Sequence, residues 1–335
     1  INMDIFVRKV GAVGHITLNR PDALNSLTYE MLRRIENALD IWIDDPQVSV
    51  VIIDSNGEKA FCAGGDIQDL YYAGVKKNYN FGKNFWKDEY RLNAKIKNYS
   101  KPFISLIKGF AMGGGVGISC HGSHRIVSET AKIAMPECGI GLIPDVGGSF
   151  ILSQVSTAIG TFLGISGERM GPEDSIFAGF ADFFIPEKYW NKITKDLSEN
   201  GDIAVIGEFA QSHGPSKLRE NYNEIENFFG DINHKYFLGE LKKSQTFNYL
   251  VDKIKTLSPL SVAAEIRILR MPEVKQTVEK ALEIEYCFTS KAMQHGDFLE
   301  GVRALVIDKD RKPKWKHESI ESVSNEELDF IFSKI

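Results

Sequence analysis

Cysteine is scarce in this chain. Cys62, Cys120, Cys138 and Cys287 are the only four in 335 residues, and no two are spaced as CxxC. That excludes a disulfide framework and the common zinc and redox pairs, and it points to a reducing, intracellular compartment. Long apolar runs are absent: none reaches the roughly 18 residues of a membrane span. No positively charged segment followed by an apolar stretch opens the chain, so no signal peptide is expected in it. A basic block is also lacking. Forty Lys and Arg stand against forty-five Asp and Glu, a net charge of −5, a poor footing for nucleic-acid binding. Low-complexity tracts and internal repeats are missing too. What is present is ordinary globular composition, 43% hydrophobic and 25% charged, with length for one large domain or two modest ones.

Strands and helices alternate through the first two-thirds of the chain. Residues 5–10 and 13–19 read as two strands about a turn at Gly11. Thr28 suits the N-cap of a helix reaching Trp42, with Met31, Ile35 and Leu39 at the helical period. Residues 48–53 and 103–107 are continuous apolar runs, as strands buried on both faces would be. Residues 66–72 and 90–98 read as helices, 125–127 and 132–135 as short strands. From residue 201 onward the pattern is amphipathic helix: 203–211, 218–229, 247–255, 262–270 and 274–293. Residues 199–202 offer the best boundary, dividing a core of 1–200 from a helical region of 201–335.

Several site patterns fail. Gly113-Gly114-Gly115-Val116-Gly117 does not complete GxGxxG from any of its glycines, and no GxxxxGK[ST] occurs, which argues against dinucleotide and P-loop sites. Gly117-Ile118-Ser119-Cys120-His121 begins as a nucleophile elbow but ends in histidine where glycine is required, so Ser119 reads as a packed helix residue. His121 and His124 lack the further ligands that a zinc site needs.

Three segments carry chemistry. Phe61-Cys62-Ala63-Gly64-Gly65-Asp66 follows the first buried strand, and Met112-Gly113-Gly114-Gly115-Val116-Gly117 follows the second. Glycines between a strand and a helix expose main-chain N–H groups at the positive end of the helix and let a ligand approach closely. Two such groups converging on one oxygen form an oxyanion hole; taken singly, either segment reads more readily as a tight turn. The third, Met135-Pro136-Glu137 through Pro144-Asp145-Val146-Gly147-Gly148, sets two carboxylates in apolar surroundings. Desolvation there would raise their pKa and strengthen them as base or nucleophile. The alternative is a loop bearing two solvated acids.

With Leu18-Asn19-Arg20-Pro21 and Ala23-Leu24-Asn25, these motifs resemble the crotonase, or enoyl-CoA hydratase/isomerase, superfamily over about residues 5–185. The closer similarity is to its 3-hydroxyisobutyryl-CoA hydrolases. It rests on Met112–Gly117, Met135-Pro136-Glu137, Pro144–Gly148, and the C-terminal run Asp297-Phe298-Leu299-Glu300-Gly301-Val302-Arg303-Ala304 with Pro313-Lys314-Trp315. The fold this implies is α/β, a spiral of ββα turns followed by helices covering the core.

The resemblance assigns the oxyanion-hole amides to Gly65 and Gly114. It makes Glu137 the nucleophile or general base of thioester hydrolysis, and Asp145 the second acid, beside a substrate 3-hydroxyl or aiding proton transfer. Glu89 matches a substrate-contacting acid, though a helix-surface glutamate fits that position too. Glu300 and Arg303 would support packing of the C-terminal helix. Gly117 stands where hydratases of the superfamily carry their first glutamate, which disfavours the usual two-glutamate hydration. Asp22 replaces a basic residue that many relatives carry near the adenine end of coenzyme A. No cofactor is implied, since coenzyme A is part of the substrate. The expected partner is an acyl-CoA, with trimer and monomer both open. The expected compartment is the cytoplasm of a bacterium or the mitochondrial matrix of a eukaryote. The competing readings are an enoyl-CoA isomerase or single-acid hydratase, and an acyl-CoA-binding protein without catalysis.

Overall fold

The computed structural model describes residues 3–335. All its strands precede residue 185, and helices alone follow. Compactness divides the chain differently. One unit comprises the chain through Gly65, Arg91–Ala134 and Arg169–Arg219; the other comprises Asp66–Tyr90, Met135–Glu168 and Glu220–Ile335. Both are assembled from interleaved segments.

The first unit holds all the strands. β1 (Ile5–Val10) and β2 (Val13–Leu18) form an antiparallel hairpin, turned at Gly11 with φ +58°. β2 then pairs in parallel with β3 (Val50–Ser55). Parallel neighbours need a crossover, and the helix Tyr29–Ile43 supplies it. Thr28 caps that helix, its side chain accepting from the Met31 N–H as its sequence position suggested. β5 (Phe103–Ile107), β7 (His124–Val127) and β9 (Phe183–Phe184) extend the sheet in the order β1-β2-β3-β5-β7-β9. After each of β3, β5 and β7 the chain adds a short strand to a second parallel sheet: β4 (Ala60–Cys62), β6 (Phe110–Met112) and β8 (Lys132–Ala134). Each turn therefore advances one strand in both sheets, which is the ββα spiral expected from the resemblance.

The apolar runs are buried on both faces. Val50, Ile52, Ile104, Leu106 and Ile126 meet Trp190, Ile193 and Leu197 of the helix Trp190–Asn200. Each such aliphatic side chain contributes about 1.5–3 kcal/mol relative to exposure. The 199–202 segment is the end of that helix, closed by Gly201 at φ +67°.

The second unit is helical. Phe229 packs edge to face with Phe162, Phe237 and Phe247, its centroid 5.2 Å from that of Phe162. Pro259–Ile268 and Val278–His295 are capped by Ser258 and Thr277, each accepting a main-chain N–H in the first turn. The helix Tyr79–Lys97 contributes its residues through Tyr90 to this unit. It starts eleven residues before the expected 90–98 and runs through Gly82, a poor helix former. A Cβ at Gly82 would lie 2.5 Å from the Met293 Cε. Arg303 pairs with Glu300, Asp308 and Asp310, consistent with a packing role. No described helix is long and apolar enough to cross a membrane.

Candidate active site

In the strand-bearing unit, β4 and β6 are parallel neighbours, so the loops leaving their C-terminal ends lie side by side. One carries Gly64-Gly65, the other Gly113-Gly114-Gly115. The approach is close enough to require glycine: a Cβ at Gly115 would sit 2.2 Å from the Cys62 carbonyl oxygen. Gly64 and Gly113 have φ of +125° and +52°, which L side chains avoid. The carbonyl of Gly64 accepts from the Leu27 N–H at 2.8 Å. Gly114 opens the helix Gly114–Ser119, where the first N–H groups have no helical acceptor. Among the described residues no hydrogen bond uses the N–H of Gly65 or Gly114. Two glycine motifs distant in sequence are thus adjacent and keep free main-chain donors.

The helical unit holds the acids. Glu137 starts a 3₁₀ turn, Glu137–Ile140, closed by Gly141 at φ +78°. The Cys138 carbonyl accepts from the Ser258 N–H, tying this turn to the start of the helix Pro259–Ile268. Glu137 is buried, and neither carboxylate oxygen has a hydrogen-bond partner in another residue. Burial drives its pKa well above the ordinary glutamate range, and the charge of Asp145 adds to this; its own amide opposes the shift. Cys138, next in sequence, is held firmly in the thiol form by burial, so it offers no competing thiolate.

Asp145 is buried too. Tyr90 Oη donates to its Oδ2 at 2.5 Å and lies 3.1 Å from Thr289 Oγ1. Burial raises the Asp145 pKa, against the Tyr90 hydrogen bond that lowers it. Glu89 precedes Tyr90 on the same helix. It is only 4% exposed, so the helix-surface reading of this residue is corrected. The Glu89 side chain sits among acids: burial first, then the charges of Asp145 and Glu285, raise its pKa well above the usual range. The solvated-loop reading of Glu137 and Asp145 is corrected in the same way. The structure thus gathers the three predicted acids Glu89, Glu137 and Asp145 in one unit, and the two predicted glycines Gly65 and Gly114 in the other.

Four neighbours escaped the sequence reading: Tyr90, Thr289, Glu285 and Glu265. Glu285 accepts from the Gly147 and Ser149 main-chain N–H groups and from the Ser149 hydroxyl, and burial lifts its pKa to about 8. Glu265 is fully buried with both oxygens unpartnered, and burial followed by the Glu285 charge raises its pKa well above the usual range. A signal existed. Ala281, Leu282, Phe288 and Ala292 form the buried stripe of their helix, and Glu285 falls on that stripe. His15 Nε2 lies 2.8 Å from Asp54 Oδ2, a pair the sequence did not disclose. Ser119 is fully buried and donates to the Gly115 carbonyl, as a packed residue would.

Comparison with known proteins places these features in a family. Residues 13–332 match the enoyl-CoA hydratase/isomerase family model. The chain is 36% identical to the mitochondrial 3-hydroxyisobutyryl-CoA hydrolase of Danio rerio, over 99% of this chain and 90% of that one. It is 35% identical to the Homo sapiens protein of the same name, over 99% and 89%. Among solved structures, an enoyl-CoA hydratase from Rhodobacter sphaeroides is 44% identical with a TM-score of 0.96, covering 99% of this chain and 98% of that one. A carnitinyl-CoA dehydratase from Mycobacterium thermoresistibile is 33% identical with a TM-score of 0.94, covering 100% and 97%. The chain belongs to the enoyl-CoA hydratase/isomerase family.

Proposed function

We propose that this chain hydrolyses the thioester of a short 3-hydroxyacyl-CoA, with 3-hydroxyisobutyryl-CoA of valine breakdown as the first choice of substrate. The observation that carries the reading is Glu137: a buried carboxyl without hydrogen-bond partners in other residues, in a chain whose other hydration position is Gly117. A desolvated carboxylate is a strong base and nucleophile once ionised. The hydrolase relatives, alike over nearly the whole chain, support the same reading.

In this mechanism the thioester carbonyl oxygen accepts from the Gly65 and Gly114 N–H groups, which gain strength as negative charge develops there. Glu137 then acts in one of two ways. As nucleophile, its carboxylate adds to the carbonyl carbon and the C–S bond breaks. CoA leaves as a thiolate that takes up a proton, and water splits the mixed anhydride to restore the carboxylate. As general base, Glu137 takes a proton from a water that adds to the carbonyl carbon directly; the C–S bond then breaks, and that proton passes to the departing CoA sulfur. Hydroxylamine separates the two where it leaves a hydroxamate on Glu137 itself, because only the mixed anhydride makes that carboxyl an acylating group. Asp145 receives the substrate 3-hydroxyl, and Glu89 lines the same acyl site. A site that must pair a hydroxyl disfavours acyl groups lacking it.

The second reading is hydration or isomerisation of an enoyl-CoA, favoured by the 44% identity to a structure named as a hydratase. Hydrolysis liberates a thiol; hydration and isomerisation do not. The test is thiol release from 3-hydroxyisobutyryl-, 3-hydroxypropionyl- and crotonyl-CoA, alongside loss of the enoyl chromophore. Release from the 3-hydroxyacyl thioesters is expected. Chromophore loss without thiol would select the second reading. Thermal stabilisation by acyl-CoA without turnover of any thioester would leave only binding.

A further inference from the structure

We propose that Glu285 is a positioning residue that sets Asp145 for the substrate hydroxyl, an inference that rests on the hydrolase reading above. Glu285 is fully buried in the helix Val278–His295. Its Oε2 accepts from the Gly147 N–H at 2.9 Å, and its Oε1 accepts from the Ser149 N–H at 3.1 Å and the Ser149 hydroxyl at 2.8 Å. Three donors from one short segment therefore converge on one side chain. That segment begins at the residue after next from Asp145.

Between them lies Val146, at φ +54°. A β-branched residue avoids the left-handed region, and it stays there only where its surroundings fix it. Gly147, at φ +75°, continues the bend, and Glu285 grips the N–H of Gly147. The same helix reaches Asp145 a second time. Thr289 stands four residues on, on the face of Glu285. Its hydroxyl is 3.1 Å from Tyr90 Oη, which donates to Asp145. One helix face thus holds the carboxylate through its loop and through its hydrogen-bond donor.

Only an acceptor on both oxygens satisfies this arrangement. Glutamine in place of Glu285 can still accept from Ser149 with one oxygen, but its amide N–H₂ then faces the Gly147 N–H. The Glu285→Gln variant should release the Val146–Gly147 bend and leave Asp145 misplaced.

The measurement is the ratio of kcat/KM for 3-hydroxyisobutyryl-CoA over isobutyryl-CoA, read by thiol release. Glu285→Gln is expected to lower this ratio at least about tenfold, with the double variant Glu285→Gln/Asp145→Asn no worse than Asp145→Asn alone, as residues acting through one another behave. A residue that only supports the fold would lower thermal stability and leave the ratio unchanged, and that result overturns the proposal. Should Glu285→Gln not fold, Ser149→Ala removes one donor to Glu285. A lowered ratio there supports the proposal and an unchanged ratio overturns it. Wild-type protein that releases no thiol from either thioester overturns the hydrolase reading itself. Wild-type release with an unchanged ratio in the variants overturns the positioning role alone.

Discussion

The two compact units differ in whether they bury acidic side chains. In the strand-bearing unit, acids lie outside the core and meet cations: Glu36 with Arg91 and Lys95, Asp182 with Arg125, Asp45 with Lys9. The helical unit has such surface pairs too, as at Glu300 and Arg303, but it also takes acids inside. Glu89, Glu137, Asp145, Glu265, Glu285 and Asp297 are all buried, and no buried Lys or Arg accompanies any of them among the described residues. Ordinary stability considerations oppose this arrangement, because an unpaired buried charge is costly and the group neutralises by holding its proton. Hydrogen bonding sorts five of these six acids. Asp297 is served by Ser258 and the Lys316 N–H, and Glu285 by three donors. Asp145 has Tyr90; Glu137 and Glu265 have no partner in another residue. The well-served acids hold structure in place. A carboxyl kept buried without partners at the start of a loop is what a reaction would use.

The comparison breaks first at Glu137. Glu137→Gln removes the ionisable group and keeps the shape. Thiol release should fall by about 10²–10⁴-fold, with circular dichroism unchanged. Wild-type turnover in that variant would make the partnerless carboxyl a bystander. Next is Asp145→Asn. Losing a charge-assisted hydrogen bond of about 1.5–3 kcal/mol should cost roughly tenfold to a hundredfold in kcat/KM on 3-hydroxyisobutyryl-CoA. Isobutyryl-CoA should suffer less.

A third prediction concerns pH and stability. Glu285 holds its proton more tightly folded than unfolded, its pKa rising from 4.5 to about 8. Its contribution to stability is therefore fully present below pH 4.5 and is lost as pH rises through about 8. Thermal midpoints should decline across that window, and Glu285→Gln should flatten the decline. The acids at the surface of the strand-bearing unit follow the other sign. Asp182 has a lowered pKa, its Arg125 pairing outweighing burial. That part of stability is lost on acidification instead.

The smallest effect is expected at Glu265, buried without a partner against Gly164. Glu265→Met should stabilise the fold by about 1 kcal/mol or more and leave thiol release within about twofold. A large loss of turnover would move Glu265 into the working group of acids.

Legibility in the sequence followed the same divide. β3 and β5 announced themselves as continuous apolar runs, the Thr28 cap by its position, and both glycine loops by their place after strands. Three-residue strands such as β6 have too few residues for a period, and only pairing with β4 and β8 defines them. Glu137 and Asp145 stood out because their neighbours are apolar. Glu265 and Glu285 were hidden because an acid inside a helical pattern reads as solvent-facing until the opposite face is known. Tyr90 and Thr289 are joined across 199 positions of sequence, a contact that no local pattern carries.

The central claim is that a desolvated carboxylate must ionise before the thioester is cleaved. The pH profile of kcat/KM for thiol release from 3-hydroxyisobutyryl-CoA tests it most directly. With the Glu137 pKa raised by burial, the rate should climb with pH through an ionisation well above the ordinary glutamate value of 4.5. A profile already flat from pH 4.5 upward would contradict the account.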